Sequence, residues 1–489
     1  GSALIILDDA SGYQDGHISL DPSLAVAAVE EALMQHHLRR QVGIVVRSGM
    51  IRNLHDAAVL VGLGANAIDP YLIWALAGSD QIDNVMTVLR QGLEKVISTM
   101  GIHELRGYER AFSAIGLPAS VGNLLGIPAY AGPDEHDWQA HRKEIAALRQ
   151  AALHQPTRLA AIPRATNYFF KSLQKLAGRQ ISIEEYEAEA RKIEEKHPIA
   201  LRHTLDLDAQ GRSTAAVVSL KTGMHDLPFI ISSMSFGSQG ETAFRAYAEA
   251  AKRLNIISMN GEGGEIVDMI GQYYSWRGYQ VASGRFGINT RLLNGAQYAE
   301  IKIGQGAKPG EGGHLPGRKV SSKVASARNA LPGIDLISPS NNHDLYSIED
   351  LKQLIDELKE ANPHIKVVVK VPVVPNIGMI AVGIVKTGAD VINISGFEGG
   401  TGAARMHALR HVGLPADIGV PLVHNALVTS GLRDRVEIWA DGGMRSAQDV
   451  TRMILLGANR VGFGTLTMMA IGCTACRQCQ LDTCHVGIT

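Results

Sequence analysis

The sequence predicts an α/β protein in which a (β/α)8 barrel of the TIM type follows a smaller α/β domain. Three observations predict it. From Pro228 onward, eight short apolar runs rich in β-branched residues recur over about 240 residues, most followed by glycine or polar residues and a helical stretch. That is the size and rhythm of eight βα units. The chemically uncommon residues gather where those runs end, as they do on the C-terminal face of such barrels. Residues 1 to about 130 carry a separate strand, helix, strand pattern. A doubly wound sheet is the alternative, but glycines end too many strands for a single switch-point crevice. The expected division is 1–134 for the smaller domain, 135–205 for a helical connection and 206–489 for the barrel.

Composition narrows the function. The chain has 489 residues, 45% apolar, with 47 basic against 48 acidic side chains. That balance leaves no general field to attract a nucleic-acid backbone. The longest apolar region, Val367 to Val385, is broken by Lys370, Pro372, Pro375 and Asn376, so a buried strand and loop is expected there rather than a membrane span. The opening GSALIILDDA has no basic n-region and too short an apolar run for a secretory signal. A cytoplasmic location is the expectation.

In chain order, ALIIL reads as a strand stopped by Asp8 and Asp9, DPSLAVAAVEEALMQHHL as a helix with proline near its start, and QVGIVV as a second strand. A helix over roughly Ile51 to Gly62 and an extended NAIDPYL complete the β-α-β pattern. HDWQAHRKEIAALRQAALHQ and SIEEYEAEARKIEEKHP are charged helices, the second opened by a capping box of Ser182 and Glu185. They are expected to form a connecting layer without chemistry. The eight barrel runs are FIISSMS, NIISMNG, AEIKI, IDLISP, VVVKVP, ADVINISG, VEIWADGG and RVGFGT.

The rim of that barrel suits an anionic ligand. IKIGQGAKPGEGGHLPG, residues 301–317, leaves a strand and enters a run of six glycines flanked by Lys302, Lys308 and Arg318. Glycine lets backbone approach a bound group closely. ADGGMRS and GFGT follow the last two strands, where barrels commonly seat a phosphate, so Gly442, Gly443, Gly464 and Thr465 are candidates for a cofactor phosphate. ISGFEGGTGA, with Ser395, Gly396, Gly399 and Gly400, is a third glycine-rich loop on the same rim. Lys370 interrupts a valine run, where a charge is costly unless paired or used. It is placed to stabilise a reduced flavin ring. Glu262 and Lys302 form a candidate proton-transfer pair.

All four cysteines lie in the last seventeen residues, at Cys473, Cys476, Cys479 and Cys484. Disulfides that stabilise a fold are not clustered in this way. The spacing C-x2-C-x2-C-x4-C gathers thiolates as an iron-sulfur cluster requires, with structural zinc as the alternative.

Several long motifs then carry a family resemblance. MSFGS at 234–238, NGEGGE at 260–265, SGRFG at 283–287, IKIGQGAKPGEGGHLPGRK, LISPSNNHDLYSIEDL at 336–351, ISGFEGGTGA and CQLDTCHVGI at 479–488 resemble the FMN-binding barrel of the glutamate synthase large subunit. Residues 3 to about 205 resemble that subunit's central domain, including ISTMGI at 97–102. The resemblance implies an FMN-dependent oxidoreductase that forms L-glutamate from 2-oxoglutarate and ammonia through 2-iminoglutarate. It implies that Lys308 and Arg328 hold the substrate carboxylates with Gln305 beside them, and that Glu262 and Lys302 lie near the reacting carbon. The flavin-binding set expected adds Met234, Ser235, Asn260, Lys370 and Asp441 to the glycine loops. Cys473, Cys479 and Cys484 match the spacing of the family's [3Fe-4S] ligands, and Cys476 is an extra thiol that leaves a [4Fe-4S] cluster open.

The sequence departs from the family pattern at His314, where glutamine is usual, and at Asn341-Asn342. Both departures fall on or near the substrate face, which keeps open an oxidoreductase of another 2-oxo, 2-amino or 2-hydroxy acid. An electron-transfer subunit without catalysis is the third alternative. The first cysteine is Cys473, so glutamine hydrolysis by an N-terminal cysteine is not expected of this stretch. No G-x-G-x-x-G fingerprint follows a strand to hold a nicotinamide nucleotide. The expected partners are therefore glutaminase and β-helix chains or other subunits, and ferredoxin or an NAD(P)H-linked subunit as electron donor.

Overall fold

The computed structural model describes residues 3–13, 17, 19–154, 166–196, 198–205, 219–340, 342–401 and 404–489. Asn341, the end of ISGFEGGTGA at 402–403 and the expected barrel boundary at 206 lie outside the described residues. The chain divides into two compact units, Gly1–Ala161 and Ile162–Thr489. The helix Trp138–His154 thus groups with the first unit, and Thr166–Ala177 and Ile183–Lys196 with the second. Among the described residues no helix is long and apolar enough to cross a membrane.

In the first unit, β1 (Leu4–Asp8), β2 (Gly43–Arg47) and β3 (Ala67–Asp69) form a parallel sheet in that order. Parallel neighbours need a crossover, and helices Pro22–Gln35 and Leu54–Gly62 supply the two. The second starts at Leu54, three residues after the expected Ile51, because Asn53 caps it. Asp21 accepts from Ser23 N ahead of Pro22, and Asn53 accepts from His55 N and Asp56 N. Val26, Ala27 and Leu33 pack on Ile44 and Val46, the two buried alternates of β2. A two-strand parallel pair, β4 (Ala114–Ile115) and β5 (Ala129–Tyr130), completes the unit's strands.

The second unit contains a closed eight-stranded parallel barrel in the order β6 (Phe229–Met234), β7 (Ile257–Asn260), β8 (Arg277–Val281), β9 (Tyr298–Lys302), β12 (Lys366–Pro372), β13 (Val391–Ser395), β14 (Glu437–Asp441) and β15 (Arg460–Phe463). Between its fourth and fifth strands the chain inserts an antiparallel pair, β10 (Gly313–Leu315) and β11 (Leu336–Ser338).

One expected strand is corrected here. IDLISP is not a barrel strand but β11, paired through Leu336 and Ser338 with the hairpin partner β10. The missing barrel strand is β8, RGYQV, all five residues of which are buried. Its polar side chains are matched inside the fold: Arg277 to Glu265 at 2.8 Å and Ser258 at 2.9 Å, and Gln280 to Glu300 at 2.7 Å. A strand that buries arginine and glutamine on partners from other segments has no apolar signature to read, although Arg277 Nη2 and Tyr279 Oη have no hydrogen-bond partner among the described residues.

Successive inward positions grade from apolar to charged. Tyr298, Val368, Val391 and Trp439 belong to a buried cluster with Ile230, Ile257 and Met259. One step further along the same strands stand Glu300, Lys370, Asn393 and Asp441, all buried. Strand periodicity of two places these on the same face as the cluster. The fold thus closes the barrel floor with hydrocarbon and lifts its ionisable groups toward the C-terminal mouth.

Candidate active site

Glu300 anchors the polar layer. Its carboxylate accepts from Ser233 Oγ at 2.9 Å, Gln280 Nε2 at 2.7 Å and Asn393 Nδ2 at 2.8 Å. Above it, Lys370 donates to Asp441, whose other oxygen accepts from Ser395 Oγ, and Ser395 Oγ in turn accepts from Gly306 N at 3.0 Å. Burial opposes the Lys370 charge, but Asp441 and Glu300 outweigh it and hold the ammonium above its ordinary pKa. Lys370 is therefore a fixed cation, and it lines the mouth of the barrel.

A cavity of about 310 Å³ opens there, within the range of small-molecule sites. Glu262, Lys302, Gln305, Lys308, His314 and Arg328 line one side, and Met234, Ser235, Gly399, Gly400 and Thr465 another. All four cysteines reach the same cavity. A contiguous smaller cavity of about 100 Å³ shares Met234, Lys370 and Thr465 with it and is lined by Ser395, Asp441, Gly442, Gly443 and Gly464.

The first side concentrates positive charge. Lys302 Nζ lies 3.5 Å from Glu262 Oε1, and Lys308 Nζ donates to Gly312 O at 3.0 Å. Arg328 donates through Nη2 to Phe236 O at 3.0 Å and stacks over Phe286 at 5.5 Å, while its buried Nε has no hydrogen-bond partner among the described residues. Burial, reinforced by Lys302, holds Lys308 below its usual pKa. Burial likewise lowers Arg328 to about 10, with Glu262 opposing. Glycine makes the crowding possible, since a Cβ at Gly313 would collide with the Glu262 carboxylate.

The second side is built of glycine backbone. Gly442 and Gly443 have φ of 130° and 65°, which favour glycine. A Cβ would stand 3.0 Å from Gly396 Cα in the first case and 2.8 Å from Glu398 Cβ in the second. A Cβ on Gly400 would collide with Thr465. Buried Glu398 lines both cavities among these loops. Its carboxyl is pushed up to about 7 by burial, with Arg202 opposing and Asp417 adding to the rise.

Some expected residues lie elsewhere. Asn260 is fully buried under the NGEGG turn, donating to Gly264 O, and is on neither cavity wall. Gly396 donates its N–H to Asp441 O and is off both walls too. Arg318 does not join the glycine loop but donates to Gln480 O at 2.6 Å, in the cysteine segment. His314 is half-exposed at the cavity edge and bonds Asp335 at 3.1 Å.

Other residues were missed. Arg445 lines both cavities and stood in the quoted ADGGMRS, so its signal was available. Lys319 donates to Cys479 O at 3.0 Å beneath the thiols. Gln280 and Glu300 had only the weak signal of polar residues inside short strands.

The cysteine segment hugs the barrel. Cys473 O accepts from Gln174 Nε2 at 3.2 Å and Cys473 N donates to Met468 O at 3.0 Å. Ala475, Arg477 and Asp482 adopt positive φ, so the loop coils tightly around its thiols. Burial raises the Cys473 and Cys479 thiols. At Cys484 burial is outweighed by N–H groups of Thr489, Val486 and Ile488, and the thiol falls to about 7. Among the described residues, no three of the thiol sulfurs lie within 4.8 Å of one another.

Comparison with known proteins agrees with this geometry. Residues 164–489 match the conserved region in glutamate synthase and residues 1–118 match the glutamate synthase central domain. The large chain of NADPH glutamate synthase from Bacillus subtilis is 35% identical over 100% of this chain and 34% of its own length. NADH glutamate synthase from Schizosaccharomyces pombe is 35% identical over 100% of this chain and 25% of its own. The ferredoxin-dependent enzyme of Pyropia yezoensis is 33% identical over 100% and 36%. Among solved structures, a lactate oxidase from Pediococcus acidilactici aligns over 64% of this chain and 87% of its own at 14% identity and TM-score 0.39, too weak a likeness to bear on chemistry. The chain spans about a third or less of the length of these curated relatives. With the barrel and central-domain matches together covering most of its residues, the chain belongs to the glutamate synthase family.

Proposed function

We propose that this chain carries the synthase chemistry of its family: reduction of 2-iminoglutarate, formed from 2-oxoglutarate and ammonia, to L-glutamate. One observation carries the substrate assignment. Lys302, Lys308 and Arg328 share one side of the cavity with one lining carboxylate, Glu262, an excess of two positive charges among those lining residues, while Glu311 acts on Lys308 from off the wall. A dicarboxylate with two negative charges matches that excess, and the lowered pKa values of Lys308 and Arg328 mark cations short of counter-charge.

The residues fit flavin mononucleotide. The smaller cavity, walled by glycine backbone that no side chain could replace at Gly442 and Gly443, suits its phosphate. Lys370, fixed by Asp441, stands where the two cavities meet. FMN, when bound there and reduced, would supply the hydride for the imine carbon. The chain's own groups do the rest. Lys308 and Arg328 hold the two carboxylates, and Gln305 donates beside them. Glu262 and Lys302 hold and deliver the proton at the nitrogen of the reacting centre. His314, at the cavity edge, borders the substrate side.

Cys473, Cys479 and Cys484 hold an iron-sulfur cluster of [3Fe-4S] type on the same cavity, with Cys476 exposed beside it. The C-x5-C-x4-C spacing of these three residues supports a cluster. Electrons arrive from ferredoxin or an NAD(P)H-linked subunit and ammonia from a glutaminase, within nitrogen assimilation in the cytoplasm. The test is chemical: purified anaerobically, the chain should carry one FMN and three iron atoms, and when reduced should form L-glutamate only with both 2-oxoglutarate and ammonia present. A protein with FMN that makes no glutamate from this pair would refute the substrate assignment.

A further inference from the structure

The stretch before the barrel, which reads in sequence as a connecting layer, holds an arginine engaged through all three of its nitrogens. Arg202 is fully buried. Its Nε lies 3.0 Å from Asp449 Oδ1, its Nη1 3.0 Å from Asp417 Oδ2 and 3.6 Å from Glu398 Oε1. Its Nη2 donates to Gly442 O at 3.2 Å and Gly443 O at 3.1 Å. The neighbouring His203 lies 3.5 Å from Asp449 and 3.6 Å from Glu194, which clips the same segment in place. The partners of Arg202 lie about 200 residues or more further along the chain; Glu398, Gly442 and Gly443 line the smaller cavity, while Asp417 and Asp449 stand in the first turns of the helices Ala416–Thr429 and Ala447–Leu455.

Two consequences follow from the geometry. No cis peptide bond occurs in the described chain, so each peptide's N–H points opposite to its C=O. With the carbonyls of Gly442 and Gly443 drawn to Arg202, the N–H groups of Gly443 and Met444 face the other way, on the side of the cavity those residues line. Consecutive N–H groups turned to one side form an anion-binding concavity. Asp417 and Asp449 lie off the cavity walls and Glu398 lines the cavity beside that loop, and the field of these carboxylates would repel a phosphate were Arg202 not paired with them.

We infer that Arg202 is a positioning residue for the cofactor phosphate, orienting the Gly442–Gly443 peptides toward it and neutralising the carboxylates it pairs with. It touches neither substrate nor phosphate. The inference rests on the FMN reading above and deepens it.

The experiment compares FMN with riboflavin, which differs only in lacking the phosphate, by flavin-fluorescence titration of deflavinated protein. Arg202→Lys keeps the charge but cannot serve both carbonyls and the carboxylates together. The expected result is FMN affinity lower by roughly tenfold or more, as for lost hydrogen bonds to a charged group, with riboflavin affinity changed by less than about threefold. A merely structural arginine would weaken both flavins alike. Arg202→Gln with Asp449→Asn, which removes a cation and a carboxylate together, is the second variant and should show the same selective loss. If native protein does not prefer FMN to riboflavin, the flavin phosphate reading itself fails. If it does and either folded variant keeps the native preference, the role of Arg202 alone is overturned. If circular dichroism shows both variants unfolded, the arginine serves the whole fold and the inference is likewise overturned.

Discussion

Replacing Lys308 with methionine tests the charge match of the pocket. The substitution removes one of three cations while keeping a long unbranched side chain in place. A carboxylate about 4 Å from that ammonium gains roughly 4 kcal/mol of gross Coulomb energy at an effective dielectric near 20. Most of this is returned as desolvation, and hydrogen bonds to charged groups net about 1.5–3 kcal/mol. The latter figure decides the expectation: affinity for 2-oxoglutarate should fall roughly 10- to 150-fold. Stability should move the other way or not at all. Burial already disfavours this ammonium, which donates to the carbonyl of Gly312. Replacing such a buried charge with hydrocarbon is commonly neutral or stabilising. Isothermal titration with 2-oxoglutarate and a thermal melt of the same samples read both quantities. Affinity within about twofold of native would refute the pairing of Lys308 with a substrate carboxylate. A large drop in melting temperature would refute the account of Lys308 as a cation held against its burial cost.

Three further outcomes are expected. Gly313→Ala drives a methyl group into the Glu262 carboxylate. Turnover should fall at least about tenfold while FMN content stays native, and unchanged turnover would remove Glu262 from the reacting centre. Dicarboxylate binding should take up protons near pH 10. Arg328 titrates at about 10 in the free site, an anion raises the pKa of the cation it meets, and Lys308 adds in the same direction. Calorimetry in buffers of different ionisation enthalpy should show uptake of about half a proton or more at pH 10 and none at pH 7.5, whereas proton release at pH 10 would contradict the pairing. Cys476→Ser should keep the native iron content, since Cys476 alone of the four thiols is exposed, and Cys479→Ser should lose it. Loss of iron in both would make Cys476 a fourth ligand.

The glycine loops and cations of the rim were legible because each carries a local signal. Gly442, Gly443 and Gly400 have no side chain where none fits, and Lys370 stands out in a valine run. In the first unit, apolar periodicity gave β1, β2, β3 and the two helices between them, but NAIDPYL, read as extended throughout, turns into a helix at Tyr71, and the helix Ile82–Thr99 was not read. Elements held together by polar groups were harder to read. RGYQV became a barrel strand because Glu265 and Glu300 satisfy its Arg277 and Gln280, and nothing in five adjacent letters announces partners supplied by other segments. IDLISP has the apolar run of a barrel strand, yet Ile337 is exposed and the segment pairs antiparallel in a hairpin. Arg202 was the least legible of all. It lies in a polar helical stretch where charge usually means a solvated surface, and its burial depends on carboxylates more than 200 residues away.

The central claim is that a pocket with two surplus positive charges reads a dicarboxylate beside a reduced flavin. Anaerobic stopped-flow mixing of the reduced protein with ammonia and either 2-oxoglutarate or 2-oxobutyrate, which lacks the distal carboxylate, tests it most directly. Flavin reoxidation should be at least about 100-fold more efficient with the dicarboxylate, as expected when buried cations are left unpaired by the wrong substrate. Equal reoxidation by the two acids, or none by either, would contradict it.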